Sequence, residues 1–597
     1  MKAGNVMIGC WIVMLAGIGG MEAGSLDRFT LNKFFNEQVL SYVYPGDVKI
    51  HINAPNPDSL LPDRMTSLVF FALPNGNSTA WTIGKEAAPE EDWHYEIQHI
   101  GAQTRFLRQL IRDRNIVTIY LEATSQSWPS WSSSHPSDRY TLIHAIVDSV
   151  RRIFTDYPHE VVLNGHSGGG SWVLNFINSV DTIPDYVKRI AFLDSDYNYS
   201  DGEGTRHGSK LAQWLSQSDD HYLCVLAYND SIALLNGAPI VSATGGTWYR
   251  SRIMQKKLAE YFTFTSTENT EFIKHFALNN RVQFWLKHNP TRGILHTVQV
   301  ERNGYIHSIA CGTAYDQVGY QYYGAHAYDQ YIERLAPEDI LHQRIIQEEG
   351  GIRIQFNRVE HGDVYRIRWG TDGFNFIDSL DTQDSSVLIT GLSADSLYYF
   401  SLKGVSFWGE SPAADILAGS PGTDPADVLI INGYDNDNET NTREYIVQHA
   451  RAFHANGARV ISASNDALTA GWLSLQDYPI LDFIVGSDYY QDESISPDEQ
   501  TLITSFLQHG GCLLISGNDL VYDMDSKGKA EQKQFCYDYL KAKYLTRAPA
   551  GKTGVYYQLE FLPPWSAPGC SLWFDDGTHG TYKVSRPNAI QAVNGAQ

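Results

Sequence analysis

Val161-Val162-Leu163-Asn164-Gly165-His166-Ser167-Gly168-Gly169-Gly170 decides how this chain is read. A short apolar run stops abruptly at G-H-S-G-G, and an apolar, helix-like segment, Trp172–Ile177, follows at once. This is the G-x-S-x-G pattern of a nucleophile elbow, where a serine occupies a sharp strand-to-helix turn and its neighbours must be small. Such a turn lifts the hydroxyl clear of the sheet and aims the next backbone N–H at the reacting oxygen. A serine hydroxyl is a poor nucleophile at neutral pH, so Ser167 needs a base, an acid to orient that base, and a second oxyanion donor.

The base is expected to be a histidine late in the domain, since the chain order for this geometry is Ser, acid, His. His307 follows an expected strand over 297–300 and an Asn303-Gly304 turn, which puts it on a loop at a strand end. His296 would begin that strand and face the wrong end of the sheet, and His326 in its aromatic cluster is the runner-up. For the acid, Leu223–Ala227 is an apolar strand that leads to Asp230, while Asp194 and Asp196 end the preceding strand and compete with it. The oxyanion donors are expected from the backbone of Gly168 and from Asn75, Gly76 and Asn77, the loop after the apolar run Leu68–Leu73.

Around this site, apolar strands (Leu68–Leu73, Ile116–Leu121, Val161–Leu163, Ile190–Leu193, Leu223–Ala227) alternate with helical patterns at Glu96–Arg112, Tyr140–Phe154, Ser171–Ser179 and Arg252–Phe262. Buried strands alternating with helices predict a mostly parallel sheet with helices on both faces. With the elbow at Gly165–Gly169 and the loop at Asn75–Asn77, residues 40–335 resemble the α/β-hydrolase superfamily. The resemblance implies a serine hydrolase that cleaves an ester or amide through an acyl-enzyme, with an esterase favoured over a peptidase. It calls for no cofactor and no metal. A non-catalytic surface adhesion protein that keeps the hydrolase fold is the alternative.

The 597 residues allow about three to four domains. A net charge of −23 argues against a nucleic-acid partner. Residues 1–24 read as an export signal, with Lys2 before the apolar run Val6–Ile18 and small residues after it. That run is too short to span a bilayer, so a secreted or cell-surface protein without an integral membrane segment is expected. The catalytic domain then covers 25–335.

Residues 338–420 hold short alternating strands such as Ile352–Phe356 and Val364–Trp369, separated by turns. With Tyr365–Trp369, Leu392…Tyr398-x-Phe400 and Trp408–Pro412, this region resembles a fibronectin type III sandwich. After a Gly/Pro/Asp linker, 426–597 reads as a second three-layer α/β domain. It is similar to flavodoxin-like and glutamine-amidotransferase-like domains, but Cys512 opens its strand where a catalytic elbow would need it at the end. A structural or binding role follows, with contact to a surface, a matrix or a polymeric substrate. The polar end Asn594–Gln597 without a closing strand suggests a fragment.

No C-x-x-C pair occurs. Cys224 and Cys311 are open to two readings, a disulfide or buried free thiols. His94, Glu96 and His99 lie near one another, and Glu96 and His99 could place two ligands on one helix face without a third for a metal, while Asp435, Asp437 and Glu439 read as a solvated loop.

Overall fold

The computed structural model describes residues 26–433, 445–486, 494–517, 519–549, 559–560, 571–572 and 587–595. The export signal, Cys570 and the Asp435–Glu439 loop lie outside them. The chain divides into two compact units, the first closing at Arg334 and the second opening at Leu335.

The first unit is built on eight strands: β1 (Glu37–Tyr44), β2 (Val48–Pro55), β3 (Met65–Ala72), β4 (Arg114–Ala123), β5 (His159–His166), β6 (Val187–Leu193), β7 (Tyr222–Tyr228) and β8 (Val282–Lys287). They pair in the order β1-β2-β4-β3-β5-β6-β7-β8. All run parallel except β2, which is antiparallel to both neighbours. Thr30–Leu31 extends one edge, and Phe272–Ala277 with Thr265–Glu268 extends the other.

Alternation along the strands sends residues to two cores. Leu68, Phe70 and Ala72 of β3 meet Ile146 and Val150 of α2 (Arg139–Ile153), Trp172 and Phe176 of α3 (Gly170–Asn178), Trp214 of α4 (His207–Gln217) and Met254 of α5 (Thr247–Leu258). Val69 and Phe71 face the other way, toward Ile100 and Leu107 of α1 (Ile100–Leu110) and Ile306 and Ile309 of α7 (Tyr305–Ala310). Each such buried aliphatic or aromatic side chain contributes about 1.5–3 kcal/mol. A sheet covered on both faces leaves its loop-bearing edges as the places where polar groups collect.

One expected strand is a helix. Residues 297–300 alternate as a strand would, yet His296–Gln299 forms a short helix, α6, after β8. An irregular turn over 300–304 follows, with Asn303 at φ +64°. Val300 packs in the same core as α7, so burial against the sheet face overrides the local strand preference.

In the second unit, Gln343–Glu348, Gly351–Phe356 and Ser386–Thr390 form one antiparallel group. Asp378–Thr382, Val364–Gly370, Tyr398–Ser406 and Leu417–Gly419 form another. Beyond them, Val460–Ser464, Val428–Asn432, Ile480–Gly486 and Cys512–Gly517 make a parallel sheet in that order. Pro497–Gln508 is a helix begun by a Ser496–Glu499 capping box. Asn588–Ala592 pairs with Ala542–Arg547 in a two-stranded sheet of its own. Cys512 opens its strand and is exposed. No helix among the described residues is long and apolar enough to cross a membrane.

Candidate active site

β5 ends at His166, and Ser167 turns the chain at φ +53° into a short 3-10 turn and then α3. A non-glycine residue in this region costs roughly 1–3 kcal/mol and is held by what surrounds it. Here the constraint is steric. A Cβ on Gly170 would lie 1.7 Å from the Ser195 carbonyl oxygen, so α3 starts in direct contact with the loop after β6. Gly170→Ala is expected to destabilise the protein by about 3 kcal/mol, read as a lower urea midpoint.

That same loop carries a buried carboxylate. Asp194 directly follows β6, adopts φ +48° and is fully buried. Its Oδ2 pairs with Nδ1 of His296. Its Oδ1 accepts from the Thr247 hydroxyl and, at 3.4 Å, from the Tyr228 N–H. His296 opens α6 on the chain leaving β8, so it lies at the end of the sheet where β5 delivers Ser167. His166 Nε2 donates to the His296 carbonyl at 3.2 Å, and the two imidazoles are 4.8 Å apart. Burial pushes the His166 pKa well below its usual value, which keeps that ring neutral beside the site. The His296 side chain keeps 21% of its surface exposed, leaving it reachable from solvent.

Two expected roles are corrected by this geometry. His307 lies on α7, fully buried, with Nδ1 3.0 Å from both the Tyr320 hydroxyl and the Gln317 amide nitrogen. Its neighbour Ser308 accepts from Asn164, three residues before Ser167 on β5. α7 therefore packs against the middle of the sheet, roughly 10 Å along the strand from the elbow. Burial lowers the His307 pKa to about 4. Asp230 follows β7 as expected but holds no imidazole. It caps α5, accepting from the N–H groups of Thr247 at 2.7 Å and Trp248 at 3.3 Å. Asp196, the other competitor, accepts from Ser251 at 2.9 Å, and burial pushes its pKa well up. His326 bridges Asp329 and Glu301 away from the acid.

Asp230 and Asp194 share the Thr247 hydroxyl, so one carboxylate feels the other. Burial first, and Asp194 second, push the Asp230 pKa from 3.8 to about 6. The folded protein therefore binds this proton more tightly than the unfolded chain. The stability it contributes is fully present below pH 3.8 and is lost as pH rises through 6. Asp230→Asn should flatten that fall, measured as melting temperature against pH, although the lost cap lowers stability throughout.

The loop after β3 reaches the elbow. A Cβ on Gly168 would lie 2.0 Å from the Asn75 Oδ1, which places the Asn75 side chain over the residue after the serine. Gly76 takes φ +75°, but its N–H donates to the Gln126 carbonyl at 2.8 Å and is not free for an oxyanion. Asn77 is held by Gln98 at 3.4 Å.

His94 is stacked between Trp81 and Trp93, with ring centroids at 4.6 and 4.0 Å. Cys224 and Cys311 are free, buried thiols.

No family model and no curated protein matches the chain. Solved structures that match include the sixth fibronectin type III domain of human fibronectin type III domain containing protein 3. It is 18% identical, covers 15% of this chain and 93% of its own, and has a TM-score of 0.14. A Fn3-like protein from Clostridium thermocellum is 14% identical, covers 15% of this chain and 96% of its own, and has a TM-score of 0.13. Likeness at these scores assigns neither fold nor function.

Proposed function

We propose that the first unit is an α/β-hydrolase-type serine hydrolase with Ser167 as nucleophile, His296 as base and Asp194 as the residue that orients His296. The observation that carries this reading is the His296–Asp194 pair, with the His296 carbonyl bonded to His166, the residue before a serine at positive φ. The strand order supports it too, with serine, acid and histidine following β5, β6 and β8 in the sequence Ser, Asp, His.

In this reading the proton on His296 Nδ1 points to Asp194, which leaves Nε2 to take the Ser167 proton as Oγ attacks the acyl carbon. The buried carboxylate then stabilises the imidazolium. Gly168 N–H and the Asn75 side chain meet the developing oxyanion. The imidazolium returns its proton to the leaving group, and water repeats the sequence on the acyl-serine.

An ester is the favoured substrate over an amide, and a polymeric or surface-bound one suits an exported chain with a fibronectin type III-like segment and a non-catalytic α/β domain behind it. A panel of acyl esters and peptide amides, with Ser167→Ala as the baseline, tests this. Ester turnover lost in Ser167→Ala is expected. Turnover equal in both proteins overturns the assignment, and turnover of amides alone overturns the ester preference.

A further inference from the structure

Behind the catalytic edge, on the sheet face covered by α7, three donor side chains converge. Cys224 lies on β7, while His307 and Cys311 are four residues apart, one helical turn, so both face β7 from α7 and its end. One donor atom from each lies within 4.8 Å of the others, and all three residues are buried. The Nε2 of His307 has no hydrogen-bond partner although it is buried. An orphaned buried ring nitrogen on a histidine clustered with two thiols is a costly arrangement unless something binds there.

We propose that Cys224, Cys311 and the Nε2 of His307 form a trigonal site for a thiophilic monovalent metal ion, copper(I). Among the described residues no fourth side-chain ligand joins the cluster, whereas structural zinc takes four. Arg189 Nη1 donates to Cys311 Sγ at 3.3 Å and to the Cys311 carbonyl at 3.0 Å. Its charge balances the one negative charge left by two thiolates and a monovalent ion.

The surroundings fit a ligating imidazole. Binding through Nε2 requires the proton on Nδ1, where the Tyr320 hydroxyl at 3.0 Å accepts it. The Asp316 Oδ1, also buried and unpaired, lies 3.9 Å from the same nitrogen. Such second partners fix the tautomer of ligating histidines. The Gln317 amide nitrogen, 3.0 Å from Nδ1, must turn away on loading. A cavity of about 540 Å³ at the opposite end of the sheet from Ser167 is lined by Arg189, which bonds to Cys311, and by Gly312, the residue after Cys311.

Binding releases the thiol protons and leaves copper at the same oxidation level, so no oxidant is needed. The test titrates the reduced full-length protein anaerobically with copper(I) against a chromogenic chelator, and with zinc(II) in parallel. One copper per chain is expected, with a near-ultraviolet thiolate-to-copper band and X-ray absorption showing two sulfur and one nitrogen neighbours. Cys224→Ser and Cys311→Ser should each lose it, and Cys512→Ser and Cys536→Ser should keep it. The X-ray absorption result on the unmutated protein decides the matter where a variant fails to fold. Absence of tight copper, tighter zinc, or uptake surviving both Cys224→Ser and Cys311→Ser overturns the proposal. So does a Cys224–Cys311 disulfide whose reduced form takes no copper.

Discussion

His296→Ala should abolish ester turnover, lowering kcat on the order of 10⁶-fold. The expected loss is this large because in the proposed mechanism the histidine acts in both proton transfers, and His307 is buried on α7 beside Ser308, which bonds to Asn164 three residues before the serine. The fold should survive, since the His296 ring is partly exposed and bonded to Asp194 without filling a core. Melting temperature and far-ultraviolet circular dichroism check that. His326→Gln, at a residue paired with Glu301 and Asp329 and stacked on Tyr328, should stay within about threefold of the parent, a shift below 1 kcal/mol. Full turnover in His296→Ala would return the base to His307.

Asp194→Asn should cost about 10⁴-fold in kcat, with KM little changed. An amide in place of the carboxylate offers the His296 Nδ1–H an acceptor only in one orientation and removes the charge that stabilises the imidazolium. The same substitution at Asp230 should cost at most about tenfold in kcat and show mainly as lost stability. Asp230 accepts from the first turn of α5 and touches no imidazole. The amide keeps one acceptor oxygen, so one of these two N–H bonds is lost, worth about 1 kcal/mol. If Asp230→Asn gives the larger fall in kcat, the acid has been assigned to the wrong strand.

The elbow was legible because everything that makes it is local: an apolar run, a serine, and glycines where neighbouring backbone leaves no room for a Cβ. The alternation of strands and helices was legible from periodicity for the same reason. The base was not. Thr297, Val298 and Val300 alternate like a strand, and that reading sends His296 to the wrong end of the sheet and His307 to the right one. Once 296–299 coils instead, the two exchange places. The acid turned on a subtler point. Asp194 and Asp230 both follow buried strands, and what separates them is the return of residues 246–248 to cap one and leave the other to the histidine. That contact is nonlocal and has no sequence signature. The His307–Cys311 spacing of four was present in the chain, but it carries meaning only once the segment is a helix and Cys224 is known to lie beneath it.

The account stands most directly on one measurement: the unmutated protein treated with a fluorophosphonate, digested, and mapped by mass. It predicts one adduct per chain, on the peptide that holds Ser167, formed much more slowly in His296→Ala. A folded protein that takes up no label at Ser167, or takes it up at the same rate without His296, contradicts it.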